Sequence, residues 1–432
     1  MNRQAELLSQ RLRFLDDTQW RSRAEIEVHQ HQELVRLARH CETYSPQFRE
    51  RLRTAGLRPE DLEAPGGLRR LPELSRREVQ AARDLFCTAV PKAHMPRTKS
   101  QTSGSTGEPV LIWRTALNQF DWLCTTMREH LWHERDFTKP FCAIRANIDE
   151  VRLENWGAPA ALLHKTGPLL GLPINRSIAE QVEKIAAFHT HTLLIYPNDL
   201  SGVIDYCQHH GVLFSDLKAI ITVGERLSPD IRARAEAFFG LKISDIYSSQ
   251  EAGTIALQCP VSGLYHTMAE NVILEIVDRD GNVVGEGDSG RILITDLHNF
   301  ATALIRYDIG DYAEVGPPCP CGRGLPTLKR ILGRERNLIV MPDGSRNWPL
   351  VGYAKYREIA PIHQYQIIQE DREHVEMRLV VEQPLTAEEE SRLIAHVQKS
   401  LGHPFQIRLS YFEDKIPADA TGKFEEFVCR VR

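Results

Sequence analysis

The chain has 432 residues, with 53 basic and 58 acidic side chains and a formal net charge of −5. This near balance argues against an extended basic surface for nucleic acid, and no segment approaches the ~20 consecutive apolar residues that span a membrane. One hydrophobic core rarely serves so long a chain, so we expect at least two domains. The polar first residues lack the apolar segment of a secretory signal, which predicts a cytoplasmic location.

The first hundred residues are rich in charge and have a helical pattern. Residues 21–41 place Ile26, Leu34, Val35 and Leu37 among polar neighbours, at the spacing that puts apolar side chains on one helix face. We therefore predict a helical N-terminal region that packs this face against the rest of the protein.

Strand-like and helix-like segments alternate through the middle of the chain. The predicted strands are residues 141–144, 192–196 and 219–223, and the predicted helices are residues 178–188, 200–209 and 230–239. This alternation is typical of β-α-β units on a parallel sheet, in which ligands bind at the carboxyl ends of the strands.

Residues 264–315 change to short strand-like segments separated by turns such as 280–282, which predicts an antiparallel or barrel-like subdomain. Within them, residues 285–290 read Gly-Glu-Gly-Asp-Ser-Gly and match the dinucleotide-binding pattern G-x-G-x-x-G. That interpretation fails because a strand-like segment follows at 291–295, where a bound pyrophosphate needs the N-terminus of a helix.

The pattern resets near residue 333 into a strand–turn–strand and then a helix over residues 386–401. This is the composition of a small α+β domain of about a hundred residues. We predict an α/β protein with a large N-terminal domain over 1–332 and a small mobile domain over 333–432.

A hydroxyl- and glycine-rich segment is the strongest local signal for function. Its glycines let backbone amides approach a polyphosphate, and its hydroxyls add donors. The candidate phosphate-binding residues are Thr102, Ser103, Gly104, Ser105, Thr106 and Gly107. Glu108 follows where the P-loop motif of nucleotide triphosphatases requires lysine, which excludes that motif. Taken alone, the segment could also be an ordinary turn.

Nine cysteines are an odd number and do not form the pattern of a disulfide framework. Cys319 and Cys321 flank a single proline, an arrangement that favours a soft metal ion. With Cys259 and His266 they would complete a three-cysteine, one-histidine set for structural zinc. The alternative is two unrelated turns with free thiols.

Five motifs stand in a recognisable order: residues 102–110, Tyr-Ser-Ser-Gln-Glu-Ala-Gly at 247–253, Arg-Tyr-Asp-Ile-Gly-Asp at 306–311, Gly333-Arg334, and the closing segment 417–423. In this order the chain resembles the acyl-adenylate-forming superfamily, which includes acyl-CoA synthetases, peptide-synthetase adenylation domains and luciferases. It is most similar to the phenylacetate–CoA ligase branch, from about residue 100 to the end.

The resemblance implies roles for individual residues on the nucleotide side. Residues 102–107 would hold the β- and γ-phosphates of ATP, and Tyr247 with Ser248 would line the pocket for adenine and the acyl-adenylate. Glu251 would hold Mg²⁺, and Asp311 would bind the ribose hydroxyls.

It also implies roles near the acid and at the domain junction. Arg334 would lie by the ribose or the junction, and the Gly224-Glu225 turn would lie beside the acid. Lys423 is the candidate catalytic lysine, since a cation lowers the barrier when charge builds on the phosphoryl oxygens.

The implied activity is ATP- and Mg²⁺-dependent conversion of a carboxylic acid to an acyl-AMP, followed by transfer to a thiol of coenzyme A or of a carrier-protein phosphopantetheine. By family likeness the acid is aryl or aryl-acetic, in a pocket that draws on Trp122 and Tyr196, and a homodimer is the family expectation. Two alternatives stay open: an amide-forming or adenylyl-transferring ligase on the same fold, and a catalytically silent relative that binds acyl-adenylates or a partner protein.

Overall fold

The computed structural model describes residues 3–82, 85–101, 110–334, 337–347, 349, 353–413, 416–417 and 424–431. The predicted phosphate-binding residues 102–107 and the predicted catalytic Lys423 lie outside the described residues.

The N-terminal region is helical, as its pattern predicts. Its α-helices are α1 (Arg3–Thr18), α2 (Arg23–Tyr44), α3 (Pro46–Ala55) and α4 (Arg76–Ala81), with 3₁₀ turns at Pro59–Leu62, Leu68–Arg70 and Lys92–His94. Helix α2 begins after Ser22, whose side chain and that of Glu25 form a reciprocal capping box. Its buried Leu34 and Leu37 pack into the largest apolar core, so this region is an integral layer of the large domain.

A short antiparallel pair then leads into the central sheet. It consists of β1 (Arg97–Gln101) and β2 (Leu111–Thr115), which flank the undescribed segment 102–109. Helix α5 (Ala116–Trp132) follows directly.

The central sheet has twelve strands within the described residues. Its parallel half, from the edge inward, contains β5 (Leu169–Pro173), β3 (Phe141–Arg145), β6 (Thr192–Ile195), β7 (Ala219–Val223) and β8 (Ile243–Ser249), and β4 (Val151–Leu153) pairs antiparallel at the outer edge. Its helices are α6 (Ala160–Leu163), α7 (Ile178–Ala187), α8 (Pro197–His210) and α9 (Pro229–Phe239). The predicted β-α-β organisation is confirmed. Helix α8 begins earlier than predicted because Pro197 fits its first turn.

The antiparallel half continues the same sheet without a break. From β8 outward the order is β9 (Gly253–Gln258), β10 (Tyr265–Thr267), β14 (Thr327–Arg334), β13 (Tyr307–Val315), β12 (Ser289–Asp296) and β11 (Val272–Val277). The predicted antiparallel region is therefore present as an open extension of the parallel half. Residues 285–290 run from the turn that joins β11 and β12 into the first residues of β12, so the G-x-G-x-x-G match lies in a strand–turn–strand, as expected.

The C-terminal region has a separate apolar core. Its elements are β15 (Ile339–Val340), β16 (Arg346–Asn347), α10 (Tyr353–Ile359), β17 (Ile362–Gln369), β18 (His374–Val381), α11 (Ala387–Leu401), β19 (Gln406–Phe412) and β20 (Phe427–Cys429). A four-stranded sheet of order β19-β18-β17-β20 packs against α11, whose N-cap is Thr386. This is the predicted small α+β unit. Among the described helices, none is both long enough and apolar enough to cross a membrane.

Candidate active site

A cleft of about 1380 Å³ lies where the two halves of the large sheet meet. It opens at the carboxyl ends of β6, β7 and β8, where ligands of parallel sheets bind. Seven residues of the predicted adenylation motifs line it: Gly224, Glu225, Tyr247, Ser248, Glu251, Asp311 and Arg334. The fold thus brings together residues that lie up to 110 positions apart in the sequence.

Tyr247, Asp311 and Arg334 form one polar group in this cleft. The Tyr247 hydroxyl donates to Asp311 Oδ2 at 2.8 Å, and Arg334 Nε lies 3.3 Å from Asp311 Oδ1. Asp311 and Arg334 face each other across the β13–β14 pairing. Burial, and then the negative charge of Asp311, raises the pKa of Tyr247 well above its usual value, so this hydroxyl stays protonated.

Glu251 is buried at the turn between β8 and β9, and its partner is a residue that the sequence did not indicate. Arg76 Nη1, from the first turn of α4, lies 3.2 Å from Glu251 Oε1. Burial lowers the pKa of Arg334, but the carboxylates of Asp311 and Glu251 outweigh this and raise it overall. Arg76 and Arg334 therefore balance the charges of Glu251 and Asp311.

The turn after β7 gives the cleft a tightly packed wall. Gly224 has φ +84°, and a Cβ added there would lie 2.6 Å from Cε1 of Tyr196. Glycine is required at this position both by its backbone conformation and by the approach of the tyrosine ring. Trp122 on α5 lines the same cleft, with the Arg114 guanidinium 4.9 Å from its ring centroid.

Glu225, the next residue, joins the large domain to the C-terminal region. Its Oε2 accepts from the Asn198 amide at 2.8 Å, and its Oε1 lies 3.5 Å from the backbone nitrogen of Phe424. The Asn198 amide also donates to Phe424 O at 3.1 Å. Burial raises the pKa of Glu225 to about 7.

Residues 425–427 make further contacts beside this one, both within the C-terminal region and with the large domain. Asn337 Nδ2 donates to Glu425 Oε2 at 3.0 Å and to Phe427 O at 2.6 Å. Arg226 lies 3.5 Å from Glu426. The segment that follows Lys423 is thus held against the mouth of the cleft.

The predicted cysteine–histidine set also comes together. The ligand atoms of Cys259, His266, Cys319 and Cys321 all lie within 4.8 Å of one another. Cys259 Sγ and Cys319 Sγ are 3.7 Å apart, and Cys321 Sγ is 3.3 Å from His266 Nε2. Tetrahedral bonds of about 2.3 Å to sulfur and 2.0 Å to nitrogen place such pairs about 3.8 and 3.5 Å apart. These residues fit a zinc ion.

The turn that carries these cysteines also binds the N-terminal region. Gln19 Oε1 accepts from Arg323 Nε at 3.0 Å and from Trp132 Nε1 at 2.7 Å, and Gly324 N donates to Gln19 O at 2.9 Å. A Cβ at Gly324 would lie 1.8 Å from the carbonyl oxygen of Arg21. The turn is therefore packed directly on the chain between α1 and α2.

Sequence reasoning did not find Arg76, Asn198 or Asn337. Arg76 lies in a short amphipathic helix among other arginines, and no local pattern separates it from surface charge. Asn198 follows Pro197 at the carboxyl end of β6, the position where a parallel sheet binds ligands, and this was a usable signal.

Comparisons with known proteins agree with the geometry. The family described as the CapK C-terminal domain matches residues 354–430. The chain is 24% identical to the phenylacetate–coenzyme A ligase of Aromatoleum evansii over 337 residues, which are 74% of this chain and 73% of that protein. It is 23% identical to the corresponding ligase of Pseudomonas putida over 345 residues, 76% and 75% of the two chains.

A fold match extends over more of the chain. The crystal structure of a 2-hydroxyisobutyryl-CoA ligase in its postadenylation state, in complex with 2-HIB-AMP, superposes with a TM-score of 0.73 at 17% identity, covering 93% of this chain and 88% of that one. At that identity the match concerns the fold. The sequence relatives, the fold match and the order of the motifs agree that the chain is similar to the acyl-adenylate-forming superfamily and, within it, to the phenylacetate–CoA ligases.

Proposed function

We propose that this protein uses ATP to convert a carboxylic acid to an acyl-AMP, with release of pyrophosphate, and then transfers the acyl group to the thiol of coenzyme A. The observation that carries the proposal is the convergence of Tyr247, Asp311 and Glu251 with the Gly224-Glu225 turn in one cleft. The similarity to two phenylacetate–CoA ligases supports the same reaction.

In this proposal the Tyr247–Asp311–Arg334 group binds the nucleoside. Asp311 has one carboxylate oxygen for each of two ribose hydroxyls, and the Tyr247 ring offers an aromatic face to adenine. Residues 102–107 bind the phosphates through backbone amides and hydroxyls. These contacts hold the α-phosphorus in line with the acid carboxylate, which supplies proximity and orientation.

Glu251 and Lys423 would provide charge stabilisation. A magnesium ion, when bound, neutralises charge on the phosphoryl oxygens. Glu251 is the carboxylate that would hold it, and Arg76 occupies Glu251 Oε1 in this structure. Lys423 then stabilises the charge that develops as pyrophosphate leaves.

Transfer to a thiol requires that the thiol can reach the carbonyl carbon of the acyl-AMP. The Glu225–Asn198–Phe424 contacts hold the end of the C-terminal region at the cleft. We propose that this domain, residues 333–432, moves as a unit relative to residues 1–332 after adenylation, which releases those contacts and admits the thiol. A carrier-protein phosphopantetheine arm is the alternative thiol.

The cysteine–histidine cluster has a structural role in the proposal. All four ligand positions of a tetrahedral ion are supplied by protein, so no position remains for a substrate. The ion would join the β9–β10 turn to residues 318–324 and so to the N-terminal helices. The cytoplasmic location and the homodimer predicted from sequence stay predictions.

The first experiment measures pyrophosphate release from ATP and Mg²⁺ across aromatic, aryl-acetic and aliphatic acids, with and without coenzyme A. We expect release that depends on an aryl or aryl-acetic acid, together with an acyl-CoA product. AMP release that requires an amine and is unaffected by thiols would favour the amide-forming alternative. Acyl-AMP binding without turnover of any acid would favour the silent relative.

A further inference from the structure

Six arginines line the cleft, and one of them differs from the others. Five pair with a carboxylate: Arg76 with Glu251, Arg226 with Glu426, Arg232 with Glu236, Arg330 with Glu314, and Arg334 with Asp311. The sixth, Arg145, makes no side-chain hydrogen bond, ion pair or ring contact with any residue that the structure describes. Its guanidinium group is therefore available to a ligand.

Arg145 is the last residue of β3 and lies at the edge of the sheet where ligands of parallel strands bind. Strands β6 and β7 follow β3 in the sheet, so two strand spacings, about 10 Å, separate Arg145 from the Gly224 turn after β7. Strand β8, which carries Tyr247, is one further spacing away, at about 14 Å. Arg145 is thus remote from the nucleoside side of the cleft.

The Tyr196 side chain connects the Gly224 turn with the end of β3. Its ring packs on Gly224, and its hydroxyl accepts from the backbone nitrogen of Ala146 at 3.4 Å. Tyr196 and Arg145 both line the cleft, and Gly224, Tyr196, Arg145 and Ala146 are all partly exposed. A ligand that enters from solvent can therefore contact the turn, the aromatic ring and the arginine together.

The neighbours of Arg145 in the cleft are apolar. Ile174 donates its backbone N–H to Arg145 O at 3.0 Å, and Ala143, two residues before Arg145, pairs with Leu194 of β6. Ile174, Ala143 and Leu194 all line the cavity. The acidic Glu150, five residues after Arg145, is paired with Arg176 and Lys184. A guanidinium group beside apolar side chains attracts an anion more strongly than it would in bulk water.

Resting on the proposed function, we propose that the substrate acid carries a second anionic group and that Arg145 binds it. The reacting carboxylate lies at the Gly224 turn, the body of the acid lies along the Tyr196 ring, and the second group lies less than about 10 Å away. A guanidinium group forms two parallel hydrogen bonds with a carboxylate. The substrate class is therefore a dicarboxylic acid, such as an aryl-acetic acid with a second carboxylate across its ring.

The test compares matched acids in an ATP–pyrophosphate exchange assay. The pairs are 1,4-phenylenediacetate with phenylacetate and adipate with hexanoate, and the monoamide of each diacid controls for size without the second charge. We expect each diacid to have a kcat/KM at least about tenfold higher than its monoacid and its monoamide, as one charge-assisted pair provides. Isothermal titration calorimetry with the same acids measures binding without turnover.

Variants of Arg145 assign the preference to this side chain. Arg145→Met removes the charge at similar length, so the preference for diacids should fall below about twofold while the monoacids keep their kcat/KM. Arg145→Glu reverses the charge and should favour 4-(aminomethyl)phenylacetate over 1,4-phenylenediacetate. Arg152→Met, at an exposed arginine of the edge strand β4, is the matched control and should retain the preference for diacids.

The outcomes separate this inference from the proposed function. Equal kcat/KM within each pair would overturn the inference and leave adenylation intact. Equal losses for monoacids and diacids in Arg145→Met would also overturn it, because the arginine would then act on the reacting carboxylate or the phosphates. Binding of diacids that depends on Arg145, without exchange, would support the site and contradict adenylation. Neither binding nor exchange with any acid would overturn both.

Urea unfolding shows whether each variant folds. If Arg145→Met does not fold, Arg145→Lys replaces it in the comparison. Lysine keeps the charge but lacks the planar fork that binds a carboxylate through two hydrogen bonds, so the preference for diacids should be reduced without being lost. An unchanged preference in Arg145→Lys, together with an unchanged preference in Arg145→Glu, would overturn the inference.

Discussion

One strand, β14, connects two polar sites that differ in what their polar atoms face. Near its start, Thr327 pairs with His266 of the cysteine–histidine cluster, and at its end Arg334 pairs with Asp311 in the cleft. In the cluster, four ligand atoms face one another within 4.8 Å. In the cleft, the carboxylates, tyrosine and guanidinium groups face a space large enough for a nucleotide.

The difference shows how the two sites should respond to substitution. A closed set of four ligands has no position for a substrate, so its loss is expected to reduce stability. The polar groups of the open cleft bind most strongly to the transition state of the reaction. Removing one of them is therefore expected to lower the reaction rate. The predictions for Lys423 and for the cysteines therefore compare enzymatic activity with the free energy of unfolding.

The largest effect is expected from Lys423→Ala. Removing one group that stabilises transition-state charge lowers a rate by about 100- to 1000-fold, and here the affected step is formation of acyl-AMP. The measurement is ATP–pyrophosphate exchange, with urea unfolding to show that stability is unchanged. Lys399→Ala, an exposed lysine in the last turn of α11, is the control. Full exchange activity in Lys423→Ala would remove this lysine from the mechanism.

The opposite result is expected from Cys319→Ser and Cys321→Ser. Protein purified without chelators should contain about one zinc per chain, and either substitution should release it. At free zinc 100 times the dissociation constant, the lost linkage is worth about 2.7 kcal/mol of unfolding free energy. Exchange activity of the folded fraction should persist at low temperature. Cys429→Ser, outside the cluster, should keep its zinc, and wild-type protein without zinc would contradict the assignment.

A smaller, more selective effect is expected from Arg76→Gln. Arg76 is paired with Glu251, so magnesium and this guanidinium compete for the same carboxylate. Removing the competitor should lower the Mg²⁺ concentration for half-maximal exchange by about two- to fivefold, as expected for a partly buried ion pair of about 0.5–1 kcal/mol. Arg77→Gln, the exposed next residue of α4, is the control. An increase in the required Mg²⁺ would mean that Arg76 positions Glu251 instead.

The local sequence pattern predicts a helix or strand well where the residues of that element alone determine its structure. Strand β7 has the predicted limits, 219–223, because a run of β-branched and apolar residues bounded by turns leaves little alternative. The joining of both halves into one sheet was not predictable. It depends on β8 and β9 pairing around a register shift between Tyr247 and Ser248, which is a tertiary contact.

The sites follow the same rule. The cysteine–histidine cluster was predictable because few roles suit two cysteines around one proline, and the structure brings the four ligand atoms together. The Arg76–Glu251 pair joins residues 175 positions apart, and arginine in a charged helix carries no local sign of its partner.

The smallest effect concerns pH and Glu225, whose contacts lie at the edge between cleft and C-terminal region. Burial raises its pKa to about 7, so between pH 4.5 and 7 the folded state binds a proton that the unfolded state lacks. Stability therefore falls as pH rises through this window. Glu225→Gln removes the titration and keeps an acceptor for Asn198, so it should stabilise the protein more at pH 8 than at pH 5, by about 1 kcal/mol for a partly exposed group.

Urea unfolding at both pH values measures the difference, with the exposed Glu183→Gln as control. An equal effect at the two pH values would show that Glu225 is ionised in the folded protein throughout, and would place its contribution with the reaction rather than with stability.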